Sequence, residues 1–341
     1  MVFRALVLLL FSAALAPRTG PAQDPPPTFS ASVNLVKVPI SVFAVDGRMM
    51  EGLRAEDFRL WEDRAPQEIR SFGLDTYPVS VVLLVDTSPS SRNELKRIRA
   101  AATEFVRGLD AGDRFSVISF DDEVTRILDW TDSRKKLDKA LGKLRAGVRT
   151  ALYDAMYLAA AEQLKNVEGR KAIVLFTDCL DNQSRVGLEE AERAIAKSQA
   201  SLYVVSKTAI VANDARRERR VVILNDIYRR LFGEDEDYIE EFFRKREGAM
   251  TELAEETGGR SFFPTDYDQI RGIYADVARE MKSRYFLTYV SNQALEPDSY
   301  HRIAVECLRP AARVVYRKGY YHLPRMPQNP RLSSGAFREP E

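Results

Sequence analysis

The sequence predicts an α/β fold: a doubly wound, mostly parallel sheet with helices on both faces, joined to a small β-rich subdomain formed by the N- and C-terminal flanks. Three observations lead there. Val79–Val85 and Lys171–Thr177 are near-continuous apolar runs, each followed by an aspartate, as strands buried on both faces require. Between such runs, apolar residues recur at spacings of three and four, the period of an amphipathic helix. At both ends of the chain the period drops to two, the mark of half-buried strands.

The elements follow in order. Val36, Val38, Ile40, Val42 and Ala44 alternate with other residues, and Asp46-Gly47 is a turn dipeptide. Phe58, Leu60, Trp61 and Ile69 mark two further short strands. These are too few for an independent sandwich, so they need partners from elsewhere. After the Val79 strand, Leu95, Ile98, Ala102, Phe105 and Leu109 define a helix. Arg114–Phe120 reads as a strand and Val124–Trp130 as an edge strand. Leu137–Leu144 and Ala151–Leu164 are helical, as is Leu188–Ser198 ahead of a strand at Ser201–Ser206. Ile270, Ile273, Val277 and Met281 form a last helix. Strands alternating with helices call for a parallel sheet covered on both faces.

A charged stretch at about 212–246 breaks this rhythm. Leu224, Ile227 and Leu231 fit one helical face, and Ile239, Phe242 and Phe243 suggest another. We read it as a helical insertion, a solvated surface excursion in preference to a partner-binding element. Tyr285–Val290, Arg302–Cys307 and Arg313–Arg317 return to β and are expected to pair with the early strands. The organisation is therefore a signal at 1–22, an N-terminal β segment at 28–75, the α/β domain at 79–284, a C-terminal β segment at 285–323 and a disordered tail at 324–341.

Composition narrows the function. A hydrophobic share of 45% and a charged share of 30% are ordinary for a globular protein. A formal net charge of +1 gives no electrostatic footprint for nucleic acid or an anionic membrane. Arg216-Arg217-Glu218-Arg219-Arg220 mixes in an acid and reads as a solvated face. Arg4 followed by the apolar run Ala5–Ala16 resembles a secretory signal. That run is shorter than the roughly 20 residues a bilayer span takes, so no span is expected after cleavage, which falls after Ala22 or, less favourably because of Pro17, after Ala16. The alternative is an uncleaved anchor. A secreted or periplasmic location follows.

The chemistry concentrates in Asp86-Thr87-Ser88-Pro89-Ser90, where a buried strand gives way to a helix. Asp178 ends a second buried strand, and Thr150 precedes a helix. In a parallel sheet these points share the carboxyl rim, where ligands bind. Asp86, Ser88, Ser90, Thr150 and Asp178 all supply oxygen, which suits a hard cation such as Mg²⁺ or Mn²⁺. Two carboxylates only just neutralise a divalent ion, so it stays electrophilic toward an Asp or Glu from a partner protein. Each residue also has a plainer role: Asp86, Ser88 or Thr150 as a helix cap, Asp178 as a turn former.

Asp86-Thr87-Ser88-Pro89-Ser90 resembles the Asp-x-Ser-x-Ser signature of the metal-ion-dependent adhesion site in von Willebrand factor type A domains. Val148–Ala155 looks like that family's threonine loop, and Ile173–Asp178 resembles its aspartate strand. The resemblance spans roughly Val79–Lys282 apart from the insertion. It implies that Ser88, Ser90 and Thr150 bind metal directly, with Asp86 and Asp178 acting directly or through water. The flanks resemble a group of exported bacterial proteins related to this domain, through Leu53–Phe72 and Gly319-Tyr320-Tyr321. One departure is Cys179, where the family commonly has glycine after the second aspartate. Cys179 is either buried, near the site or bonded to Cys307.

The expected function is a metal-dependent protein-binding module without catalysis. A Ser-His-Asp hydrolase needs a histidine beside Ser88, and His301 and His322 lie in the distant tail. One alternative is a metal-dependent phosphoryl-transfer hydrolase with Asp86 as nucleophile, which ordinarily wants a second acid and a lysine nearby. Another is a structural module with an empty metal site. From sequence, Asp86→Ala is expected to abolish binding and leave the fold largely intact.

Overall fold

The computed structural model describes residues 34–91, 94–211, 238–282, 284–293 and 296–323. The expected signal at 1–22, the basic run at 216–220, most of the insertion and the tail beyond 323 lie outside the described residues.

The central sheet has six strands. In chain order these are β5 (Val79–Asp86), β6 (Arg114–Phe120), β7 (Val124–Thr131), β8 (Arg170–Thr177), β9 (Ser201–Ser206) and β10 (Arg260–Phe262). Their spatial order is β10-β9-β8-β5-β6-β7. All neighbours are parallel except the edge pair β6 and β7. Every residue of β5 and β9 is buried. The period-two rule divides them between faces. Val81, Leu83, Val85, Val174, Phe176, Tyr203 and Val205 face one core, with α1 (Leu95–Arg107), α2 (Arg134–Gly142) and a C-terminal helix, Tyr267–Lys282. Val82, Leu84, Ile173, Leu175, Leu202 and Val204 face the other, with α3 (Leu152–Leu158), α4 (Leu188–Ser198) and α5 (Tyr238–Glu256). The Tyr267–Lys282 helix is α6.

The boundaries depart from expectation in three places. The helix predicted over Ala151–Leu164 is α3 followed by a π-helical turn, Ala159–Gln163. The C-terminal part of the expected insertion, about 238–246, is the first half of α5 rather than a separate element. β10 gave no periodic signal, being three residues long. It joins the sheet because Gly259 lets the backbones close: a Cβ built there would lie 1.8 Å from the Leu202 carbonyl oxygen.

The flanks pair as expected. β1 (Leu35–Phe43) lies between β13 (Arg313–Tyr316) and β11 (Tyr285–Val290), with β4 (Ser71–Leu74) beyond β11. A second sheet orders β14 (Gly319–Tyr321), β12 (Tyr300–Cys307), β2 (Phe58–Glu62) and β3 (Ala65–Gln67). Val38, Ile40, Leu60, Leu287, Tyr289 and Ile303 share their common core. Glu62 is fully buried there. It accepts hydrogen bonds from the hydroxyls of Tyr289 at 2.9 Å, Tyr320 at 2.6 Å and Ser291. Arg284 stitches this unit to the α/β domain, donating to Ser41 in β1, Ser201 in β9 and the Gly258 carbonyl.

Candidate functional site

The registers bring the expected residues to one rim. β5 and β8 align Val85 with Phe176, so Asp86 and Thr177 leave the sheet side by side. β8 and β9 align Thr177 with Ser206, which puts Asp178 next to Lys207. β5 and β6 align Asp86 with Phe120, which adds Asp121 to the rim.

Four of the five expected residues are joined by hydrogen bonds. Asp86 is fully buried and accepts from the Ser88 amide at 2.8 Å and the Thr177 hydroxyl at 3.1 Å. The hydroxyls of Ser88 and Ser90 lie 3.1 Å apart. Ser90 donates to Asp178 at 2.6 Å. Ser88 and Asp178 are buried, while Ser90 is exposed and forms the outer face of the group. Burial and the neighbouring Asp86 carboxylate push Asp178 above the usual carboxylate range, against the pull of Lys207 and the Ser90 hydroxyl.

Thr150 is buried on the same rim but is held through its backbone. Its amide donates to the Asn182 side chain at 2.9 Å, and its carbonyl accepts from Asn182 and Gln183. Among the described residues its hydroxyl makes no hydrogen bond to the other four. The loop carrying it is tied to the Asp86 turn by Gly147, whose amide donates to the Thr87 carbonyl at 2.8 Å. A Cβ on Gly147 would sit 2.4 Å from Asp121 Cβ, so only glycine permits this approach. Thr87 faces the opposite way, donating to Asp121 at 2.9 Å. Burial raises the Asp121 carboxyl, and the Thr87 bond opposes the rise.

Sequence reasoning missed Lys207. Its side chain is fully buried. The ammonium donates to Ser90 at 2.8 Å and Ser91 at 2.5 Å, and stands 3.7 Å from both Asp86 Oδ2 and Asp178 Oδ2. A lysine directly after a fully buried strand on this rim was the available signal.

The donor set fits a hard divalent ion in kind: carboxylates and hydroxyls, with the carboxylates supplying two negative charges. Lys207 complicates the fit, because its ammonium already holds the same hydroxyl and both carboxylates. As a scale, a doubly and a singly charged cation about 5 Å apart repel by about 7 kcal/mol at an effective dielectric near 20. The oxygens therefore suit a divalent ion when Lys207 is withdrawn, and oppose one when it is seated.

Cys179 takes the left-handed conformation, φ 59°, at the position the resemblance assigns to glycine. Its side chain is buried in the same core as Ala191 and Leu253, with the thiol 4.0 Å from the Ser206 hydroxyl. Both cysteines are free. Burial raises the Cys179 thiol, whereas Cys307 is partly exposed. Iodoacetamide at pH 8 is expected to alkylate Cys307 in the native protein and spare Cys179 until urea is added. Equal native labelling, read by peptide mass spectrometry, would contradict this burial.

Comparison with known proteins agrees with the architecture. Residues 81–180 match the family model described as the von Willebrand factor type A domain. No curated protein matches the chain. Among solved structures, the von Willebrand factor domain of the type V pili tip protein Mfa5 from Porphyromonas gingivalis is 25% identical, covering 33% of this chain and 43% of that one, with a TM-score of 0.30. BatB from Bacteroides thetaiotaomicron is 21% identical, covering 60% and 100%, with a TM-score of 0.41. Proximal thread matrix protein 1 from the mussel byssus, with a zinc-occupied adhesion-site motif, is 14% identical, covering 64% and 49%, with a TM-score of 0.45. The chain thus spans half or less of the pilus and mussel structures it matches. The matched segment runs from β5 to just past Asp178 and contains the Asp86 turn and the Thr150 loop, so the chain carries a von Willebrand factor type A domain.

Proposed function

We propose that this chain is an exported, non-enzymatic protein-binding module whose recognition point is the rim corner built by Asp86, Ser88, Ser90, Thr150 and Asp178. On this reading the corner takes Mg²⁺ or Mn²⁺ when Lys207 withdraws, and a partner's Asp or Glu carboxylate completes the ion's shell. The bound ion supplies a positive centre that two carboxylates barely neutralise. This chain's residues orient it: Ser90 faces solvent, and Thr177 and the Ser88 amide fix the Asp86 carboxylate. The observation that carries the reading is the 2.6 Å bond from exposed Ser90 to buried Asp178, which joins two distant loops at one accessible point. Export rests on the N-terminal apolar run, and the proposed boundaries are those given by the sequence.

The test is a Mn²⁺ titration followed by water-proton relaxation. One site is expected, with affinity reduced at least tenfold in Ser90→Ala and in Thr150→Ala. Unchanged binding in both variants removes the corner from consideration.

A second reading deserves a measurement, because Asp178 and Lys207 supply the acid and lysine that phosphoryl transfer from Asp86 ordinarily wants. Access argues against it. Asp86 is fully buried, with one oxygen held by the Ser88 amide and the other by Thr177. No hydrolysis of para-nitrophenyl phosphate is expected with Mg²⁺ or Mn²⁺, and turnover lost in Asp86→Asn would install this reading instead.

The flank holds a chain that superficially matches a serine hydrolase. Ser299 lies 2.6 Å from His301 Nε2, and His301 Nδ1 lies 2.7 Å from Asp63. The Ser299 hydroxyl also lies 2.6 Å from the Glu296 carbonyl, which competes with His301 for its single proton. Asp63 also accepts from the Arg302 amide at 2.8 Å, so this group fastens the β2–β3 turn to β12.

A further inference from the structure

We propose that Lys207 is the resident cation of the adhesion corner: its ammonium occupies the cation's place in the metal-free protein, and a divalent ion binds only by displacing it. This rests on the metal-dependent reading given above and adds its control.

Four observations carry it. Lys207 is fully buried, yet among the described residues its ammonium has no carboxylate closer than the two at 3.7 Å, both belonging to the expected metal ligands. Its short bonds go to Ser90 and Ser91, on the turn that the metal reading requires. Its position is fixed from the sheet, since the Lys207 amide donates to the Thr177 carbonyl at 2.8 Å. Finally, the Ser90 hydroxyl, with its proton on Asp178, offers its lone pair to Lys207.

The charge count gives the consequence. Two buried carboxylates without a cation would be strongly destabilising. One ammonium removes half of that charge and supplies donors to the hydroxyls, so the corner is stable with no metal bound. The seated ammonium is fully buried, so it offers a foreign carboxylate no accessible donor. The lysine-seated corner is therefore closed to an acidic partner, and a divalent ion opens it only against the loss of the Lys207 contacts. Affinity for metal is set by this exchange as much as by the five oxygens.

The test compares wild type with Lys207→Met by Mn²⁺ titration, each purified with metal and then stripped. The expected result is at least tenfold tighter binding in Lys207→Met, together with a larger rise in melting temperature on adding Mn²⁺. Equal affinity in the two proteins overturns the lysine proposal and leaves the metal site standing. Absence of binding in both overturns the metal reading, and this inference with it. A measurement on wild type covers the case in which the variant fails to fold. Reductive methylation read by mass spectrometry should modify Lys207 at least tenfold more slowly than exposed lysines in chelator, and faster in saturating Mn²⁺. Rapid modification in chelator, or no acceleration by a metal that demonstrably binds, overturns the proposal.

Discussion

Asp86→Ala is expected to lower the free energy of unfolding by about 3–5 kcal/mol, the loss typical when one partner of a buried ionic group is removed. The substitution takes away half of the countercharge around Lys207, which has no exposure through which to rehydrate. It also strips the Ser88 amide and the Thr177 hydroxyl of their acceptor. This reverses the expectation from sequence alone, that the change would spare the fold, because the sequence did not place a lysine beside Asp86. Urea denaturation followed by circular dichroism measures it. The double variant Asp86→Ala/Lys207→Met should be less destabilised than the sum of the single changes, by about 0.5–3 kcal/mol, as for other residues in contact. Strict additivity would show that Lys207 and Asp86 do not interact in solution.

Glu62→Ala should be comparably damaging at the other end of the molecule. Its loss leaves the hydroxyls of Tyr289 and Tyr320 without their acceptor inside the flank core. Each unsatisfied buried group costs about 1–3 kcal/mol, and the deleted methylenes leave a cavity. A total of about 3–5 kcal/mol follows. Glu62→Gln keeps an acceptor for the hydroxyls and should recover much of it. A Glu62→Ala protein with wild-type urea midpoint would mean the flank repacks around the gap.

The part of this architecture legible in sequence is the part governed by periodicity. Val79–Val85 and Lys171–Thr177 are apolar because both faces of a parallel strand are buried, and the aspartates that follow them mark the carboxyl rim of the sheet. The alternation of Val36, Val38, Ile40 and Val42 likewise announced a one-sided strand needing partners. What escaped depends on register. β10 is too short to show a period and forms because Gly259 permits close backbone approach. Lys207 looks like an ordinary residue after a strand until the pairing of Thr177 with Ser206 sets it against Asp178. In the same way, Thr150 was legible as a rim residue, but not that its backbone is bound by Asn182.

The pairing of β1 with β11 has a consequence for biogenesis. Leu35 meets Val290 and Ile40 meets Tyr285, so β1 waits for segments made long after it. The parallel sheet, assembled largely from sequential β-α units, is complete before those segments emerge. Until then Val38, Ile40 and Val42 present an unpaired apolar edge, the feature that invites intermolecular strand addition. Contacts of such high sequence separation also form slowly. The nascent chain therefore passes through a stage in which its α/β domain is built while β1 is still unpaired, and a holdase covering residues 34–43 during that interval is expected to raise yield.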